Sequence, residues 1–128
     1  IQFVSVGMKS INIKEKFSKF NVNWHPHQIA IVDDMQVILA KLKGEFVWHK
    51  HDDEDELFQV VKGTLYMQFR DRVEVVNEGE IIVVPKGVEH NPMTKNEEEV
   101  HVLLFEKLAT AHTGNVTHEK TQTHYPKI

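Results

Sequence analysis

The sequence predicts an all-β fold, a barrel or a sandwich, and three observations predict it. Short apolar runs recur between turn residues at intervals of roughly eight to twelve residues, the spacing of β sandwiches and barrels. The runs are rich in Val, Ile and Phe, which suit a pleated backbone. A helical spacing of apolar residues is found in one short segment, whereas a βαβ fold would alternate strands with helices.

The elements follow in order. Ser10 to Phe20 has Ser10 or Asn12 as an N-cap and Ile13, Phe17 and Phe20 on one helical face, so a short amphipathic helix is expected to cover an open end or face of the barrel. Asn21 to His27 holds Pro26 and two asparagines and reads as a loop. Strands are expected at 28–32 and 35–42, separated by the turn residues Asp33 and Asp34; the second is almost continuously apolar, as in a strand covered on both faces. Gly44 opens an extended run through His49 and His51, and LFQVV after Glu56 forms the next strand, ending at Gly63. Further strands are expected at 64–70, 73–76, 80–85 and 100–108, with a short VEHNPM segment before the last. From Ala109 onward the chain turns polar and reads as a tail along the surface.

At 128 residues one core is the expectation, hence a single domain over 1–128: an arm and short helix (1–27), a barrel (28–108) and a polar tail (109–128). A net charge of −4 and scattered lysines argue against nucleic-acid or anionic-membrane binding. There is no cysteine, so disulfides, thiolate metal sites and cysteine nucleophiles are excluded. The first residues lack a basic, apolar leader and no window approaches a membrane span of about 20 apolar residues, so a cytoplasmic location is expected; Met8 is a candidate initiator. Nine histidines are the compositional oddity.

His49 and His51 stand on alternate residues of extended chain, so both imidazoles project from one face. A strand returning from Glu56 can bring a carboxylate toward them. Glu54 or Asp55 could take that place if the loop were tighter, but parity and the interval to Gly63 favour Glu56. The fourth candidate, His90, follows Gly79, a buried IIVV run, Pro85 and Gly87. On strand parity Val88, His90 and Pro92 share a face opposite Glu89 and Asn91. Imidazoles and a carboxylate suit a divalent transition metal: Fe, Mn, Zn or Ni. His25, His27, His101, His112, His118 and His124 have no such partners and read as surface or packing residues, with His101 the one whose strand could face the cavity.

By parity Phe58, Val60, Leu65, Met67 and Phe69 face inward and give an apolar cavity, suited to a small ligand with one chelating edge. Tyr66 and Gln68 point outward. Phe46 and Trp48 alternate with the histidines and are expected to point away from them, as outer packing or dimer contacts alongside Leu57 and Val61.

In its two motifs the chain resembles the cupin superfamily: Gly44, His49, His51, Glu56 and Gly63 match the first, and Gly79, Pro85, Gly87 and His90 the second. It is most similar to small single-domain bacterial cupins described as mannose-6-phosphate isomerase-like. Gly44 stands one residue closer to His49 than the usual pattern, and Thr94 replaces a frequent asparagine. The resemblance implies a jelly-roll (double-stranded β-helix) barrel, a metal on His49, His51, Glu56 and His90, a homodimer, and a dioxygenase- or isomerase-type enzyme on a small organic ligand. A non-catalytic module binding or sensing a sugar or organic acid is the alternative, and a structural metal site a third. The residues themselves name no further catalytic group.

Overall fold

The computed structural model describes residues 8–110, 113–114 and 125–128. Among them the order is α1 (Ile13–Phe17), β1 (His27–Val32), β2 (Met35–Leu42), β3 (Glu56–Lys62), β4 (Leu65–Phe69), β5 (Val73–Val76), β6 (Ile81–Val84), β7 (His90–Met93) and β8 (Val100–Lys107). The strands form a five-stranded sheet, β1-β2-β8-β3-β6, and a three-stranded sheet, β5-β4-β7. All six strand pairs are antiparallel, so the predicted all-β jelly-roll architecture with one short helix is what forms.

Period-two alternation builds the core. Ile38, Ala40 and Leu42 of β2, Phe58 and Val60 of β3, and Val100, Val102 and Leu104 of β8 meet Leu65, Met67 and Phe69 of β4 between the sheets. The opposite parity faces outward, where Leu39 and Leu103 lie under the helix with Phe17 and Phe20. This two-sided burial explains why β2 is apolar almost throughout. The helix is shorter than its apolar spacing suggested. Asn12 is its cap, its side chain accepting from the Glu15 N–H at 3.0 Å.

The run from Gly44 to His51 departs most from expectation. Instead of a continuous strand it meets β7 at two isolated bridges, Glu45 with Met93 and His49 with His90. Four steps on one side are matched by three on the other, so one extra residue is accommodated, as in a β-bulge. The extra residue reverses parity. Phe46 therefore faces inward with the histidines, buried and stacked on Trp24 with ring centroids 4.6 Å apart. Trp48 stays half-buried on the outer side, beneath the Arg70 guanidinium at 3.9 Å.

Phe46 is thus no outer packing or dimer residue, and Leu57 is half-buried. Val61 is exposed as expected, and further exposed apolar residues include Ile31 and Val32 on β1, Val73 and Val75 on β5, and Ile81 and Val83 on β6. Val75, Ile81 and Val83 line a surface groove of about 990 Å³ between β5 and β6, which are edge strands of their sheets.

The tail is more than a surface wrap. Thr110 and Thr113 are buried, and at the other end Gln28 of β1 bonds to Pro126 and Ile128 through backbone groups. Tyr125 packs against the main core and Ile128 against the helix cluster. His112, His118 and His124 fall outside the described residues. No helix among the described residues is long and apolar enough to cross a membrane.

Met67 is fully buried between the sheets. Met67→Ala should cost about 2–5 kcal/mol of unfolding free energy, through lost burial plus the cavity left behind. Denaturant unfolding checks this; a loss below about 0.5 kcal/mol would mean that the site collapses freely around the change.

Candidate metal centre

The three histidines come from two stretches of chain joined by backbone hydrogen bonds. His49 N–H donates to the His90 carbonyl at 3.0 Å and His90 N–H to the His49 carbonyl at 2.9 Å. The Gly87 N–H reaches the His51 carbonyl at 2.7 Å. Gly87 sits at φ +79°, a conformation side chains disfavour, and it turns the chain after Pro85 so that β7 starts opposite His49. Farther along, Thr94 clasps Gly44: its hydroxyl accepts from the Gly44 N–H at 2.7 Å while its own N–H donates to the Gly44 carbonyl at 2.9 Å. The two departures from the family pattern are therefore in contact with each other.

One donor atom from each of His49, His51, Glu56 and His90 lies within 4.8 Å of the others, and all four residues are buried. Every position singled out in the sequence is brought to this one place. Glu54 and Asp55 are not part of it; Asp55 instead accepts the Lys86 N–H at 2.9 Å.

The ring orientations suit a cation. His49 Nδ1 is 2.9 Å from the Val47 carbonyl and His90 Nδ1 is 2.9 Å from the Val88 carbonyl. A carbonyl only accepts, so each Nδ1 carries the proton and each Nε2 keeps a lone pair. Among the described residues, the Nε2 atoms of His51 and His90 and Oε1 of Glu56 are buried without a well-aligned hydrogen-bond partner. Glu56 Oε1 lies 3.3 Å from His51 Nε2 and 3.6 Å from His90 Nε2. Converging buried donor atoms that the protein leaves unsatisfied are what a metal ion would satisfy.

Electrostatics separates the four groups. Burial, reinforced by the neighbouring His90, lowers the His49 pKa to about 4. Burial also acts against a charged His51, but the Glu56 carboxylate 3.3 Å away outweighs it and raises the His51 pKa above its ordinary value of 6.5. For Glu56, burial favours the neutral acid, yet His51 and His90 hold the carboxyl well below its usual range.

Beside the donors lies a small cavity of about 40 Å³, lined by His49 and Glu56 together with Trp24, Pro26, Phe46, Phe58 and other apolar side chains. Such a space takes a few waters at most. Of the five residues expected to wall it, all are buried, but only Phe58 lines it; Val60, Leu65, Met67 and Phe69 pack in the core. The wall is completed by Trp24, Pro26 and Phe46, which parity alone did not place there.

Two other features escaped the sequence. Glu106, which ends the inner face of β8, is fully buried beside Glu56, and no spacing signal marked it. Gly114, at φ +58°, lies against His49 and the Lys50 carbonyl so closely that a Cβ there would collide with Lys50. His101, in contrast, faces away from the cavity, stacked on Phe17 at 4.6 Å and 3.0 Å from Glu99 Oε1. His27 likewise packs on Phe20 at 4.0 Å.

Comparison with known proteins shows the family. The model of the cupin domain family matches residues 35–106, more than half of the chain. The chain is a cupin. A relative from Bacillus subtilis (strain 168), the uncharacterized protein YdbB, is 38% identical over 79 residues, which span 61% of this chain and 64% of that protein. This cupin therefore matches less than two thirds of the YdbB chain. Among solved structures, a cupin-2 domain containing protein from Shewanella frigidimarina NCIMB 400 is 48% identical with a TM-score of 0.75, covering 78% of this chain and 96% of its own. Protein NMB1881 from Neisseria meningitidis is 32% identical with a TM-score of 0.70, covering 77% and 99%.

Protons and metal compete for the same imidazole nitrogens. Metal affinity should therefore begin to fall as the pH drops through the raised His51 value, above 6.5, and be lost by about pH 4, where His49 also protonates. Equilibrium dialysis across this range checks the expectation, and full occupancy well below pH 4 would contradict a site made of these histidines.

Proposed function

We propose that His49, His51, Glu56 and His90 hold a divalent transition metal, and that this cupin acts there on a small organic ligand as a dioxygenase- or isomerase-type enzyme. The observation that carries the reading is the convergence of four buried donor groups within 4.8 Å, three of whose atoms have no hydrogen-bond partner among the described residues. A metal there would supply Lewis-acid polarisation and an anchor for a chelating ligand. With four protein ligands, Fe, Mn or Ni would keep two positions for water, oxygen or substrate, whereas Zn more often stays at four or five.

The chain's own residues would do the rest. The backbone carbonyls of Val47 and Val88 fix the tautomers of His49 and His90. Trp24, Phe46 and Phe58 keep bulk water from the donors, which strengthens electrostatic interactions there. The cavity of about 40 Å³ fits a water- or dioxygen-sized partner, so a larger ligand would present only its chelating edge.

A specific observation favours a second reading, a non-catalytic binding or sensing module. Among the described residues, His49 and Glu56, both assigned to the metal, are the ionisable residues that line the cavity, with no separate acid or base beside them. A homodimer is the expected assembly. Its support is now the exposed valines and isoleucines of the β5–β6 groove rather than Phe46.

Elemental analysis of protein purified without added metal, then oxygen-uptake and isomerisation assays, tests the enzyme reading. About one transition-metal ion per chain with turnover is expected; metal without turnover would favour the binding module. The double substitution His49→Ala, His51→Ala should abolish metal uptake while the β-sheet circular dichroism persists, and unchanged metal content would refute the ligand assignment.

A further inference from the structure

One end of the barrel interior is polar although its strand parity is that of the core. On β2 and β8 the inward rows end at Gln36 and Glu106, which are direct neighbours in register. On β3 the Leu57–Phe105 pair puts the next residue, Glu56, opposite Glu106. Three polar side chains thus stand side by side across β2, β8 and β3, and the outermost, Gln36, is gripped by Gln28, whose amide donates to it at 3.0 Å. Gln36, Glu106 and Glu56 are each no more than 2% exposed.

Glu106 is the unusual member. Neither carboxyl oxygen makes a well-aligned hydrogen bond among the described residues, and Gln36 Nε2 is unsatisfied as well. The register nonetheless sets the side chain beside Glu56 on one side and Gln36 on the other, close enough for both to act on its charge. Burying an unsatisfied carboxyl costs free energy, so a packing role alone would favour an apolar residue here, as at Leu104, two positions earlier on the same face. The contact with Glu56 is what an apolar residue could not make. Metal-binding side chains are commonly held by such outer partners, which fix the direction of the lone pairs.

We propose that Glu106 is a positioning residue of the metal centre, braced by Gln36 and Gln28, which holds the Glu56 carboxylate turned toward His51 and His90. The inference rests on the metal reading above. It assigns no contact between Glu106 and the ion. It makes the sheet register, through a row of four side chains, part of the machinery that sets metal affinity.

The test uses the full chain, stripped of metal and titrated with cobalt(II), whose visible spectrum reports ligand geometry. Glu106→Leu should weaken cobalt binding about 10- to 100-fold and shift the spectrum. The metal-free form of this variant should melt no lower than wild type, because an unsatisfied buried carboxyl has been removed. Glu106→Gln, which keeps the shape and can still bond to Glu56, should retain most of the affinity. Wild-type affinity and spectrum in Glu106→Leu would overturn the inference while leaving the metal reading intact. A loss of affinity that merely follows a lower melting temperature, or an equal loss in Glu106→Gln, would also overturn it. Failure of the wild-type chain to bind cobalt would remove the metal reading itself and the inference with it.

Discussion

The reciprocal backbone bonds between His49 and His90 are the constraint on which the rest of the site depends. They join two segments about forty residues apart in the chain and place three imidazoles around one carboxylate. The surrounding details serve that pairing. Gly87 turns the chain into it, Thr94 and Gly44 close its far end, and the extra residue between the two bridges turns Phe46 inward beside His49. Backbone bonds are well suited to this task. They set the positions of the imidazoles without using the Nε2 atoms, which are left turned toward one another and Glu56.

The barrel interior is divided along its length. Most inward positions are apolar and tightly buried, whereas one end collects His49, His51, His90, Glu56, Glu106 and Gln36. Buried groups left without partners cost about 1–3 kcal/mol each, so the apolar part must carry the stability that the polar part gives up. A bound ion would return much of that cost, because binding to the folded form alone stabilises it. The same atoms that make the empty site expensive would make the loaded protein more stable.

The strands and the four donors were legible because both depend on simple periodicities. Alternation predicted the inward rows of β3 and β4, and glycine with proline marked the turn before His90. What was not legible depended on departures from period two. The extra residue between Glu45 and His49 moved Phe46 from the outside to the cavity wall, and a bulge of that kind leaves no compositional trace in FVW. Asn91 was assigned to the outer face, yet it is buried, its amide donating to Glu45 at 2.7 Å. Nothing in the sequence singled out Glu106, because its significance depends on which strands become neighbours. The burial of Thr113 and the approach of Gly114 to His49 are long-range contacts, which local pattern cannot disclose.

The stacking of Trp24 on Phe46 has a practical consequence. The chain has two tryptophans: Trp24 stands in the cavity wall, while Trp48 lies on the outer side under Arg70. The indole N–H of Trp24 is anchored to the Lys43 carbonyl at 2.9 Å, so the ring is held in place rather than free to drift. Trp24 is therefore a built-in optical reporter of the cavity. Its emission can follow what enters without any added label, and replacing Trp48 by phenylalanine would leave that signal alone in the spectrum.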